Sequence, residues 1–125
     1  MVLLQKRSNR KPTGGKYKAI SVRRQHMMGS AATLTGLGSV RKQTAQKIGG
    51  GSKQRVLSSD VANVYDPKSK KYSKAKISTI VENAANRNFA RRNIMTKGTV
   101  IETSAGKAKV TNRPGQEGAI NAILV

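Results

Sequence analysis

From Ala75 onward apolar residues recur at every second position in short runs, each cut off by a turn, and nothing else in the chain constrains its fold as strongly. Ala75, Ile77, Thr79 and Val81 alternate with Lys74, Lys76 and Ser78. A period of two marks a strand with one face on a core. Residues 98–103 read as a second strand, turned back at Ser104-Ala105-Gly106 into 107–112. There Ala108 and Val110 point one way, while Lys107, Lys109 and Thr111 point the other. Arg113-Pro114-Gly115-Gln116-Glu117-Gly118 forms a further tight connection, and the apolar 119–125 reads as a central, buried strand. Ahead of these, the β-branched stretch 55–65 ends at Asp66-Pro67-Lys68-Ser69, a turn in which Asp66 caps its own backbone. That turn predicts a hairpin between 55–65 and 75–81. Long helical periodicity is missing. The fold class expected is all-β: a small β-barrel of five to six short strands.

The core of such a barrel must be aliphatic. Of 125 residues 36% are hydrophobic but only 3% aromatic, with no Trp, one Phe and three Tyr, so Val, Ile and Ala must fill the interior. Phe89, the lone phenylalanine, is expected to anchor that core; the other role open to it is stacking on an exposed base.

Charge decides the partner. Twenty-five Lys and Arg face five Asp and Glu, a formal net charge of +20. A domain this basic carries the electrostatic footprint of nucleic-acid binding. The acids Asp60, Asp66, Glu82, Glu102 and Glu117 all lie in the second half, and residues 1–59 contain none. The asymmetry predicts a basic N-terminal arm, residues 1–18, in front of a single barrel domain, 19–125, with a Gly/Ser/Thr-rich loop or loose hairpin at about 26–55. In the arm Pro12, Gly14 and Gly15 oppose regular structure, and in isolation it is expected to be disordered. A short strand is expected over 17–25.

Several chemistries lose support. Without cysteine there is neither a disulfide framework nor a thiolate metal site, and His26 stands alone, so no metal and no cofactor are expected. Gly36-Leu37-Gly38-Ser39-Val40-Arg41 and Gly49-Gly50-Gly51-Ser52-Lys53 lack the spacing of phosphate-cradling loops and read as flexible connections. No nucleophile is paired with a base, so the chain is expected not to be an enzyme. Met1-Val2-Leu3-Leu4 is too short for a secretory signal, and no run reaches the ~20 apolar residues that span a bilayer. A cytoplasmic location is expected.

The densest functional signal lies at 82–98. It holds Arg87, Arg91 and Arg92 among Asn83, Asn86, Asn88 and Asn93. Arginine presents a planar fork of donors that grips phosphate oxygens two at a time, and asparagine bonds backbone, sugar or base edges. A short helical turn is expected at 83–95, capped by Asn83 or Asn86. It forms a rigid knuckle braced by strands at 75–81 and 98–103. Glu82, beside it, is the candidate partner that orients Arg91 or Arg92.

These segments resemble the ribosomal protein S8e family. The likeness runs through Val61-Ala62-Asn63-Val64-Tyr65-Asp66-Pro67, Val81-Glu82-Asn83 and Phe89-Ala90-Arg91-Arg92-Asn93-Ile94-Met95-Thr96-Lys97-Gly98. It continues in Ile101-Glu102-Thr103, Gly106-Lys107-Ala108-Lys109-Val110-Thr111 and Arg113-Pro114-Gly115-Gln116-Glu117-Gly118. Arg7-Ser8-Asn9-Arg10-Lys11-Pro12-Thr13-Gly14-Gly15 resembles that family's arm. Leu4 departs from it, standing where the family carries tryptophan. The short length is similar to the archaeal form. The resemblance implies a structural constituent of the small ribosomal subunit, a barrel body, an arm threaded among rRNA helices, and no catalysis.

Partners expected on that basis are small-subunit rRNA and neighbouring small-subunit proteins, with no membrane, no small-molecule substrate, and a monomer outside the ribosome. Candidate RNA-binding residues in the arm and just beyond it are Lys6, Arg7, Arg10, Lys11, Thr13, Gly14, Gly15, Lys16, Lys18, Arg23 and Arg24. In the body they are Lys53, Arg55, Arg87, Asn88, Arg91, Arg92, Asn93, Lys97, Lys107 and Arg113. The alternative is a ribosome biogenesis factor that leaves the mature particle. An architectural DNA-binding protein would need an apolar wedge or a dimeric frame, and a membrane-surface binder an amphipathic helix; the sequence offers neither.

Overall fold

Asp66 starts the hairpin on which the body is built. Its Oδ1 accepts a hydrogen bond from the Lys68 backbone N–H at 2.9 Å and its Oδ2 one from the Ser69 hydroxyl at 2.8 Å. The Ser69 bond and the Lys68 N–H hold its carboxyl below the usual carboxylate range. The turn joins β6 (Val61–Asp66) to β7 (Lys71–Glu82) in antiparallel register, with Tyr65 opposite Tyr72. This is a computed structural model, which describes residues 3–5, 7–18 and 25–125. The chain divides into two compact units, Met1–Ala32 and Thr33–Val125. The sequence placed the end of the arm at Lys18; the 17–25 strand lies largely outside the described residues.

In the larger unit β6 and β7 join β9 (Val100–Thr103), β10 (Gly106–Val110) and β11 (Asn121–Leu124) in a closed barrel of order β10-β11-β6-β7-β9. All neighbours are antiparallel except β11 and β6. The expected all-β barrel is the observed fold. Its core is Ala62, Val64, Ala75, Ile77, Ile80, Met95, Ile101, Ala108, Val110, Ile120 and Ala122, with no aromatic among them. A five-stranded barrel has a narrow bore, and small aliphatic side chains fill it.

Three expectations about strands need correction. Thr79 and Val81 do not continue the inward face of Ala75 and Ile77. The register slips between Ile77 and Thr79 and again between Ile80 and Glu82, so Ile80 turns inward and Val81 is 48% exposed. An irregularity of this kind adds a residue, reverses the faces and bends the strand, which helps β7 to reach β9. The stretch 55–65 is two strands. β5 (Ser52–Ser58) ends at a corner where Ser59 N–H bonds Gly36 O and Asp60 O accepts from Ile77 N, and β6 then enters the barrel. The final strand, β11, is central but buried on one face only: Ala122 points in, Ile123 is 39% exposed.

The segment expected as a loop or loose hairpin holds real strands. β4 (Arg41–Gln46) pairs with β5 around Gly49 and Gly50, both at positive φ. With β3 (Thr35–Gly36) and β8 (Ile94–Met95) they make a second sheet of order β4-β5-β3-β8. Thr35, fully buried, donates its hydroxyl to Val56 O at 2.7 Å. The loop after Thr111 lies so close that a Cβ on Gly115 would meet Thr33 O at 2.6 Å. Gly115→Ala is therefore expected to destabilise the body by about 1–3 kcal/mol through overpacking, read as a lower thermal midpoint.

In the smaller unit, β1 (Leu3–Leu4) pairs with β2 (Met28–Gly29), which follows a single 3-10 turn at Gln25–Met27.

Candidate nucleic-acid interface

The arginine-rich segment forms α1 (Arg87–Arg91), a helix of five residues. Asn86 is the N-cap, in extended conformation, and its side-chain oxygen accepts from Asn88 N–H at 2.9 Å. Arg92 caps the other end, bonding back to Asn88 O, and Asn93 leaves the helix at φ 52°. Asparagine visits that left-handed region more readily than most residues, so the chain can reverse straight into β8. Residues three and four apart share a helix face. Arg87 and Arg91 therefore rise together, with Asn88 and Arg92 beside them, and all four are exposed. No acid stands in the helix's first turn.

What holds the knuckle is Asn83 rather than Glu82. Asn83, 5% exposed, donates Nδ2 to Ile94 O at 3.0 Å. Its Oδ1 accepts from Ala85 N–H and from the Thr96 hydroxyl, each at 3.0 Å. Thr99, fully buried, adds a bond from Thr96 N–H at 2.9 Å. The two ends of the loop that carries α1 are thus tied to one side chain. Below it Ile94 and Met95 are buried and paired with Gly36 and Thr35, Leu37 N–H bonds Asn93 O, and Ala90 packs against the core. Of the two expected braces, the strand at 75–81 contributes through Asn83 just past its end, and 98–103 through Thr99. The second sheet was not anticipated. Glu82 ends β7 exposed, opposite Val100. Phe89 does not anchor the core: it is half-buried on α1, while its neighbour Ala90 takes the inward position.

Other candidates divide. Lys97 is exposed at the turn whose Gly98 N–H bonds Val110 O, close to where 111–113 begins, and Arg113 is exposed there as well. Lys107 lies at the far end of β10, opposite Glu102 and about 10 Å along the strand from Val110, so it does not join the knuckle. Lys53 and Arg55 are committed to the body. Lys53 Nζ donates to Gln116 Oε1 at 2.6 Å and Arg55 Nη1 to Thr33 Oγ1 at 3.3 Å, and both side chains are half-buried.

The arm, expected to lack structure, closes on itself. Arg10 bridges Lys16, Lys11 N–H bonds Gly15 O, and Gly14 turns the chain at φ 86°. Arg10 Nη1 donates to Gly14 O at 2.8 Å, and the Arg7 guanidinium lies 3.8 Å from the centre of the Tyr17 ring. A cation held over an aromatic face gains up to about 1 kcal/mol at exposed sites. Lys11, Thr13, Gly15, Lys16 and Lys18 remain exposed on this loop. Lys6, Arg23 and Arg24 lie outside the described residues.

Asn83, expected only as a candidate cap of the helix, is instead the side chain that ties the loop, while the cap is Asn86. Its signal was positional: a polar residue directly after a strand and three before the helix cap.

The family model described as ribosomal protein S8e matches residues 4–125. A protein of Methanocella arvoryzae named small ribosomal subunit protein eS8 is 48% identical over 121 residues, 97% of each chain. One of the same name from Picrophilus torridus is 46% identical over the full length of both, and one from Methanococcus aeolicus 46% identical over all of this chain and 98% of its own. With a match from Leu4 to the last residue on an all-β barrel, this chain belongs to the ribosomal protein S8e family.

Proposed function

We propose that this chain is a non-catalytic constituent of the small ribosomal subunit that binds and stabilises folded small-subunit rRNA, with the α1 knuckle as its specific contact. The relatives' shared name supports the subunit. The observation that carries the contact is the set Arg87, Arg91 and Arg92, exposed on α1 and its C-cap, in a loop whose ends are tied through Asn83. Guanidinium groups on a braced backbone lose little freedom on docking, so more of their charge-assisted bonding survives as affinity. The arm's lysines and the charge of the whole body add attraction that ignores sequence. The chain acts as a monomer until it enters the cytoplasmic particle, where it neighbours other small-subunit proteins.

The double change Arg91→Lys with Arg92→Lys keeps the charge and loses the bidentate fork. It is expected to weaken binding to cognate folded rRNA by about 1–3 kcal/mol, and to leave binding to scrambled RNA nearly unchanged, in filter-binding at fixed salt. Removing Lys11 and Lys16 is expected to weaken both alike. On the order of eight phosphate contacts gives a log–log salt slope between about −5 and −7 for the unaltered chain. If the arginine pair behaves like the lysine pair, the knuckle is only another patch of charge. Retention on mature small subunits through a high-salt wash separates a constituent from an assembly factor that departs.

A further inference from the structure

On the outside of the barrel, aromatic, amide and ammonium groups line up across β7, β6, β11 and β10. On β6 Ala62 and Val64 point inward, so Asn63 and Tyr65 point out; on β7 Ala75 and Ile77 point inward, so Tyr72, Lys74 and Lys76 point out. On β11 the outward residues are Asn121 and Ile123, and on β10 Lys109. The registers place these in rows. Tyr72 faces Tyr65, which faces Ile123, which faces Lys109. One row along, about 7 Å, Lys74 faces Asn63, which faces Asn121. Between them runs an open groove of about 600 Å3, within the about 300–1,000 Å3 range of small-ligand clefts.

Two features of this face are not explained by holding the hairpin together. Tyr72 is 78% exposed although its ring centre is only 4.8 Å from that of Tyr65, with the planes at 41°. A cross-strand pair accounts for Tyr65 but leaves a flat face of Tyr72 turned to solvent. The Asn63 Nδ2 group donates to Asn121 Oδ1 at 3.1 Å, and each amide retains further donor or acceptor capacity beside the rings. Lysines flank both rows, and no acid lies among the groove's lining residues. A flat aromatic ring, amide groups that can read a polar edge, and ammonium groups to hold phosphates are the three needs of an unstacked nucleotide.

We infer that the outer face of β6, β7 and β11 is a second RNA site, which takes an unpaired nucleotide of a single-stranded segment by stacking its base on Tyr72. It rests on the reading of the chain as an rRNA binder and adds the kind of RNA bound here. A helical segment buries its bases and offers Tyr72 only phosphate and sugar. A looped-out or terminal nucleotide offers the ring itself.

The test uses the full chain with two probes at one salt concentration, an eight-nucleotide oligouridylate and an RNA duplex of equal phosphate count. Tyrosine fluorescence in a Tyr17→Phe background reports on Tyr65 and Tyr72 alone, since the chain has three tyrosines and no tryptophan. The single strand is expected to quench it. Tyr72→Ala is expected to weaken single-strand binding about tenfold or more, with less than a twofold change on the duplex, and Tyr72→Phe to restore binding. Equal losses on both probes, or no loss on either, overturn the inference. So does a loss seen only with a poly-glutamate peptide, which would make the face a protein-docking surface. Single-strand binding untouched by Tyr72→Ala alongside rRNA binding lost with the Arg91 and Arg92 changes would sink this site and spare the knuckle. The opposite pattern would sink the knuckle and spare this site.

Discussion

Ile101→Ala is expected to lower the unfolding free energy by about 2–5 kcal/mol, against a typical total of about 5–15 for a domain of this kind. Ile101 is fully buried and sits on β9 between Ala108 of β10 and Ile80 of β7. Ala108 stands directly beside it, and the same core cluster holds Ala62, Ala75 and Ala122, none of which can extend into a gap. A closed sheet also resists collapse, because moving one strand inward strains the hydrogen bonds on both its sides. The cost should therefore lie toward the upper end of the range. Ile101→Val, which removes one methylene group, is expected to cost only about 0.5–1.5 kcal/mol. Urea unfolding at constant salt measures both, and constant salt matters because a +20 chain repels itself. A loss below about 1 kcal/mol for Ile101→Ala would mean that the strands close the gap and the interior is softer than its burial suggests.

The parts of this fold that sequence makes legible are those written in local chemistry. Alternation at Ala75–Ile77 and Ala108–Val110 marks two strands outright, and Asp66 announces its own turn. The scarcity of aromatics correctly predicts an aliphatic core. Asn86 is recognisable as one of two candidate caps. What sequence hides depends on partners far along the chain. The slip after Ile77 follows from pairing with β9, and nothing in Ile77-Ser78-Thr79-Ile80 signals it. β3 is two residues inside a neutral stretch and exists because β5 and β8 bind it from both sides. Lys53 looks like any free lysine until Gln116, sixty-three positions away, takes its ammonium group. The candidate site shows the same division: the arginines of the knuckle can be named from composition, but what holds them still cannot.

That hidden brace gives the last large effect. Asn83→Ala is expected to destabilise the larger unit by about 2–4 kcal/mol, since buried groups left without a partner cost roughly 1–3 kcal/mol each. The change removes the donor to Ile94 O and the acceptor shared by Ala85 N–H and the Thr96 hydroxyl. Thr96 keeps its backbone bond to Thr99 Oγ1, so one end of the loop stays fixed while the end that leads into α1 is released. The barrel strands do not pass through Asn83, and the damage should therefore be local. In the variant, amide exchange at 84–95 is expected to be far faster than at Ala62, Ile101 or Ala108, whose opening still requires the whole barrel to unfold. RNA affinity should follow the loop rather than the barrel. With Arg87, Arg91 and Arg92 intact but no longer held, each guanidinium must be ordered on docking, at a cost of about 0.5–1.5 kcal/mol per side chain. Specific rRNA binding should then weaken by an amount similar to the Arg91→Lys and Arg92→Lys pair, while non-specific binding, which needs only charge, persists. If Asn83→Ala loosens 84–95 and specific binding is unchanged, the knuckle works by charge alone and its rigidity serves the fold, not the RNA.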